Sequence, residues 1–204
     1  MSDSDYRSGI SEAIKVALIK DAAFFYWIEA HAPQLAARDT ESMNYLIRHC
    51  AKLHMEHIAG DDPFETGSAR PLDFGHWSAH KLEQLSNFEV LHGEAVAMGI
   101  ALDSSYSFLK GLLTETELHR ILNVLLQLSF DISNPLIRIK DAQSPILRGL
   151  SDFQEHLGGV LTITLLSSLG TGKEVHEMDQ QLLIEASTYV ADFIKNKSIL
   201  NSRN

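Results

Sequence analysis

The sequence predicts a mainly α-helical domain with one small β-hairpin, and three observations carry that prediction. Apolar residues recur at helical spacing over long stretches, as in Ile10, Ile14, Ala17, Leu18 and Phe25, or Leu182, Leu183, Ala186, Val190 and Phe193. Helix punctuation frames such stretches. Thr114-x-x-Glu117 is a capping box, and Pro33, Gly60-Asp61-Asp62-Pro63, Asn134-Pro135 and Ser144-Pro145 stand between periodic runs. Only Val160 to Leu166, bounded by Gly158-Gly159 and Gly170-Thr171-Gly172, has the β-prone composition of a strand, which places a hairpin near 160–177.

Taken in order, residues 1–8 form a polar lead, 9–195 the helical domain and 196–204 a frayed tail. A first helix is expected from about Ile10 to Ala30, with Ser8 or Ser11 at its start and Glu12 and Lys15 one turn apart on a shared face. Pro33 breaks the pattern. A second helix is expected from Asp39 or Thr40 to Ile58, with apolar positions at Met43, Leu46, Ile47, Cys50, Leu53 and Ile58, and it carries His49, His54 and His57. A third runs from about Gly75 to Leu85, and a fourth from Leu91 or His92 through Leu109. The fourth is rich in small residues (Gly93, Ala95, Ala97, Gly99, Ala101), which let other helices approach closely and put it at the centre of the bundle. The capping box opens a helix to about Leu128, and a last helix covers Asp179 to Ile194.

A chain of 204 residues suffices for one well-buried domain, or at a stretch two small ones, and 45% hydrophobic with 22% charged residues is ordinary globular composition. A net charge of −10 argues against a nucleic-acid partner. The single cysteine, Cys50, excludes an intramolecular disulfide and fits a reducing compartment. No apolar run reaches the ~18–20 residues that span a bilayer. The start MSDSDYRSG lacks the basic-then-apolar pattern of a signal peptide. The expectation is a soluble cytoplasmic protein that needs neither membrane nor nucleic acid.

Polar chemistry concentrates between Arg70 and Glu94. His76 and His80 stand four residues apart, so a helix places both imidazoles on one face, in reach of one metal ion. Gly75 and Gly93 each adjoin a histidine at a helix start, and Glu83 and Glu94 are near enough to orient imidazoles. A buried hydrogen-bond network at helix termini, with Asp73 as an N-cap, explains the same residues, and spacing alone leaves both readings open. No Cys-x-x-Cys, P-loop, nucleophile elbow or G-x-G-x-x-G unit occurs.

Three blocks resemble a known family in order and spacing: Glu12-Ala-Ile-Lys15 with Lys20-Asp21-Ala-x-Phe24-Phe25, then Asp73-Phe-Gly-His76-x3-His80-x-x-Glu83, then Leu91-His92-Gly-Glu94-Ala-Val-Ala-Met-Gly. They resemble the C-terminal half of 3-dehydroquinate synthase and related sugar phosphate cyclases over roughly residues 6 to 195. The form from Arg70 to Glu83 is most similar to a dehydroquinate-synthase-like branch found in Ebo-type biosynthetic clusters. The resemblance implies a helical C-terminal domain in which Glu12, His76 and His92 ligate a metal, usually Zn2+ and otherwise Co2+. It places Lys15, Asp73 and His80 in catalytic roles and Arg70 at the substrate. Family members use NAD to oxidise a hydroxyl transiently, eliminate phosphate from a sugar phosphate, reduce the ketone and close a ring by an aldol step.

Departures narrow the expectation. Most dehydroquinate synthases have Asn at the position of Asp73, and their arginine stands seven rather than six residues before the histidine. Asp73 with Arg70 is closer to cyclases that act on sedoheptulose phosphate. His54 stands where a lysine is expected, and Ser151 to Gly159 replaces an Asp-Lys-Lys segment, leaving His156 as the candidate for its phosphate contact. The resemblance leaves the family's NAD-binding domain without a counterpart in these residues, so the chain is expected to be a natural split or truncated product or a fragment of a longer protein, unable to complete the redox cycle alone unless a separate NAD-domain chain is its partner. An open metal-bearing face with apolar surface implies a homodimer. The alternative is a non-catalytic remnant of the fold that serves as a binding or scaffolding module.

Overall fold

The computed structural model describes residues 3–59 and 73–201. Its helices are α1 (Asp3–Lys20), α2 (Ala22–Ala30), α3 (Ala32–Ala36), α4 (Thr40–Ile58), α5 (His76–Leu85), α6 (His92–Leu109), α7 (Glu115–Gln127), α8 (Arg148–His156) and α9 (Gln180–Asn201). Short 3-10 turns at Pro135–Ile137 and Pro145–Leu147 precede α8, and a hairpin of β1 (Ile163–Ser168) and β2 (Thr171–Val175) precedes α9. The mainly helical architecture and the hairpin are as the sequence predicts.

Helix α6 is the axis of the fold. Every residue from Ala95 to Ser107 is buried, and α1, α5, α7, α9 and β1 pack around it. Its small residues are what permit this. A Cβ on Gly99 would lie 2.0 Å from the Gly75 carbonyl oxygen, and one on Gly93 would lie 2.2 Å from the Ser8 Cα, so the starts of α5 and α1 rest directly on the α6 backbone. Of the three serines buried in α6, Ser105 and Ser107 donate to the carbonyls of Ala101 and Asp103, one turn back, while Ser104 Oγ is buried without a hydrogen-bond partner.

The hairpin is antiparallel, with Ile163 opposite Val175 and Leu166 opposite Gly172, and an irregularity between Leu166 and Ser168. Leu165 and Leu166 are buried against the bundle, β1 on α6 and β2 on α1.

Several boundaries differ from the expectation. The single helix expected from Ile10 to Ala30 is two, because the Asp21 carboxylate accepts from the Phe24 N–H at 3.0 Å and caps a new start at Ala22. Helix α1 begins at Asp3, where Tyr6 already joins the core. The helical run ends at Ala30, just ahead of Pro33 as expected, but Pro33 then lies in the first turn of a short helix, α3, that was not expected. Helix α8 was not expected, and α9 extends past Ile194 to Asn201. Capping by Thr114 and Glu117 is as the sequence predicts, with the Glu117 N–H donating to Thr114 Oγ1 and the Thr114 N–H to the Glu117 carboxylate. No helix among the described residues is long and apolar enough to cross a membrane.

Candidate metal centre

Three helices deliver three side chains to one point. Glu12 projects from α1, His76 is the first residue of α5 and His92 the first of α6. Glu12 Oε1 lies 3.6 Å from His92 Nε2 and 3.8 Å from His76 Nε2, and the two imidazole centroids are 5.3 Å apart. Each imidazole is held by its other nitrogen. His76 Nδ1 donates to the Phe74 carbonyl at 3.0 Å and His92 Nδ1 to Glu83 Oε2 at 3.1 Å, which leaves both Nε2 atoms turned toward Glu12. The Glu12 oxygens are divided: Oε2 takes the Lys15 ammonium at 2.6 Å, while Oε1 is buried with no hydrogen-bond partner.

The donor set fits a divalent metal such as zinc. Ligand atoms about 2.1 Å from a tetrahedral ion lie about 3.4 Å from one another. The Glu12-to-histidine spacings are a few tenths of an ångström longer, and all three ligand atoms lie within 4.8 Å of one another. One carboxylate and two imidazoles also leave coordination positions open.

The electrostatics suit the same geometry. Burial alone would raise the Glu12 carboxyl, but His92 and Lys15 beside it outweigh burial and hold it down to about 2. Burial, reinforced by the Lys15 charge, lowers His76 to about 4, so at neutral pH it is an uncharged ligand. The Glu12 carboxylate, opposed by burial and aided by Glu83, raises His92 to about 9. Without an ion, a proton on His92 supplies the positive charge this pocket attracts. Lys15 Nζ, 4% exposed as a residue, also lies 3.5 Å from His76 Nε2.

The remaining predicted residues surround this point to different degrees. His80 is exposed one turn along α5, its ring 5.4 Å from that of His76 and 5.8 Å from that of His92, and burial of its inner edge lowers its pKa. Asp73 is half-buried just before α5, and its charge acts on His80. His156 ends α8 and lines a cleft of about 250 Å3 together with Trp77, His80, Asp152 and Phe153. The positions from 60 to 72, Arg70 among them, lie outside the described residues, as does the side chain of His54.

Sequence reasoning missed the cleft wall because α8 is short and carries few apolar residues. It also missed the Lys81 to Asp152 ion pair, 2.7 Å, which ties α5 to α8. The buried Asp103 on α6 was missed as well. A carboxylate amid Ala, Leu and Ser on the small-residue helix placed at the centre of the bundle was the available signal.

Comparison with known proteins gives these residues a family. Residues 9–148 match the 3-dehydroquinate synthase C-terminal family. Among solved structures, the chain is similar to ValA, a 2-epi-5-epi-valiolone synthase from Streptomyces hygroscopicus subsp. jinggangensis 5008 solved with NAD+ and Zn2+ bound. The TM-score is 0.85 at 28% identity, over 94% of this chain and 52% of that one. A 2-deoxy-scyllo-inosose synthase shares the fold at 19% identity and TM-score 0.60, over 89% of this chain and 47% of that one. A complex of 2-deoxy-scyllo-inosose synthase with carbaglucose-6-phosphate, NAD+ and Co2+ gives TM-score 0.65 at 18% identity, over 92% and 53%. The chain thus spans about half the length of these structures. With the family match running from the helix that bears Glu12 through both histidine-bearing helices, this chain belongs to the 3-dehydroquinate synthase family and corresponds to its C-terminal domain.

Proposed function

We propose that this chain is the metal-holding half of a sugar phosphate cyclase acting on a heptulose phosphate, with Glu12, His76 and His92 as ligands to Zn2+ or Co2+. The observation that carries the reading is Glu12 Oε1, buried without a hydrogen-bond partner and faced by two imidazole nitrogens. Other buried polar atoms, Ser104 Oγ and the Tyr6 hydroxyl among them, also lack a partner; what distinguishes Glu12 Oε1 is that two imidazole nitrogens lie within 3.8 Å of it, where an ion would offset the roughly 1–3 kcal/mol cost of an unsatisfied buried acceptor. The Zn2+ and NAD+ in ValA, and the Co2+ and NAD+ in the inosose synthase complex, support the same reading by likeness.

When bound, the metal would polarise substrate oxygens, while NAD would accept and return a hydride around phosphate elimination and aldol closure. The chain's own residues have separable tasks. Lys15, its ammonium at the carboxylate of Glu12, steadies negative charge developing beside the centre. His80 sits on the open face with its pKa lowered by burial, so it is neutral and able to accept a proton at pH 7. Asp73 flanks it, and Arg70 and His156 bind the substrate's anionic groups. Among the described residues the only sheet is the two-stranded hairpin, so the NAD-binding unit is proposed to lie outside them, on a separate chain or elsewhere in a longer one.

The test is phosphate release from a panel of heptulose phosphates by the chain with a candidate NAD-domain chain and NAD. Release that needs every component and vanishes in His76→Ala is expected. No release from any member of the panel, by protein with metal bound, would contradict the proposal.

A further inference from the structure

We infer that Asp103 is a positioning residue for the metal centre, aiming His76 through a single peptide plane. The inference rests on the metal-centre reading above and adds a residue that does not touch the ion. Asp103 lies mid-way along α6, fully buried. Its Oδ1 accepts from the indole N–H of Trp77 at 2.9 Å, and its Oδ2 accepts from the backbone N–H of Gly75 at 3.1 Å. Those two donors flank His76 in sequence.

The Gly75 N–H and the Phe74 carbonyl belong to one rigid peptide unit. Asp103 holds the N–H side of that unit, and the His76 Nδ1–H is held by the carbonyl side. Rotation of this plane therefore turns the imidazole, and fixing the plane fixes the direction of His76 Nε2 toward Glu12. Gly75 cannot do this itself. It has φ +77, has no side chain to cap α5, and sits so close to α6 that a Cβ would lie 2.9 Å from the Ile100 nitrogen. The acceptor has to come from the neighbouring helix. Helix α6 thus sets both imidazoles, His92 as its own first residue and His76 through Asp103.

A purely structural cap is the competing account. Against it, a carboxylate buried this completely is an expensive way to cap one helix, and burial raises its pKa to about 7 despite two donors. Both its oxygens are used, whereas an amide in its place offers one acceptor.

The experiment is a Co2+ titration of the full chain at about pH 8, where Asp103 is ionised, followed by the visible ligand-field spectrum. Asp103→Asn is expected to weaken Co2+ binding roughly 10–100-fold and to move the absorption bands, because a misaimed imidazole changes the ligand field. Trp77→Phe keeps an aromatic ring but removes the indole N–H that anchors the carboxylate, and is expected to weaken binding severalfold with a smaller band shift. Leu122→Ala, a core truncation on α7, lowers the melting temperature but is expected to leave the spectrum and affinity of the wild type. If Asp103→Asn melts lower yet keeps the wild-type bands and an affinity within about twofold, Asp103 is only a structural cap and the inference fails. If Asp103→Asn does not fold, an unchanged spectrum in Trp77→Phe overturns the inference equally. Wild-type protein that binds no Co2+ overturns the metal centre itself, and with it this role for Asp103.

Discussion

At Glu12 the two carboxylate oxygens face different neighbours, one a buried ammonium and the other two imidazole nitrogens. Glu12→Gln therefore has two separable effects. Metal affinity should fall by about two orders of magnitude or more, with loss of the charged ligand. Metal-free stability should fall by about 1–2 kcal/mol, modest for an ion pair because the Glu12 side chain is 39% exposed. Urea unfolding in the presence of a chelator measures the second effect, and an unchanged midpoint would show that Lys15 does not depend on Glu12. Asp103 gives the pH dependence. Its folded pKa, raised by burial from 3.8 to about 7, means that the folded state holds this proton more tightly than the unfolded state. Its contribution is fully present below about pH 4 and is lost as pH rises through about 7. The stability of metal-free wild type relative to Asp103→Asn should accordingly fall between pH 4 and 7 and then level off, and a difference flat across that range would contradict the assignment. At this scale the sequence was only partly legible. Local spacing pointed to His76 and His80 as a pair, but Glu12 comes from another helix and His92 from the next, and helical periodicity carries no information about either distance. The resemblance to a family was needed to join them.

Among the elements, legibility followed how local each determinant is. The start and end of α6, the start of α7 and the hairpin were readable because caps, small-residue runs and Gly turns lie within a few residues of the boundary they set. The break between α1 and α2 was not, since Asp21 sits in a continuous apolar pattern and reveals itself as a cap only by its bond to Phe24. Helix α8 escaped because its apolar residues face α5, and that neighbour is far away in sequence. Packing of α5 on α6 is the contact on which the site depends most, and Gly99→Ala tests it. The new methyl group would fall on the Gly75 carbonyl, which is backbone and cannot rotate aside. A loss of about 2 kcal/mol or more is expected, with a lower melting temperature and weaker metal binding. A melting temperature like that of wild type would mean that the two helices do not meet this closely in solution.

For the whole molecule, the centre sits on an open face: His80 and His92 are exposed, and Phe88 and Leu91 nearby present apolar surface, Phe88 at 70% exposure. Under the proposed function, such surface beside the metal centre is covered by a second copy of the chain or by an NAD-binding domain. Mass in solution, with and without a candidate NAD-domain chain, should therefore exceed that of one chain, and a strict monomer that ignores such a partner would count against this arrangement. The measurement that bears most directly on the central claim is metal analysis of the chain after exposure to Zn2+ or Co2+ at neutral pH and removal of unbound ion. About one ion per chain is expected, retained by the wild type and lost in His76→Ala and His92→Ala. Folded wild-type protein that retains no ion would contradict the assignment of Glu12, His76 and His92 as a metal centre.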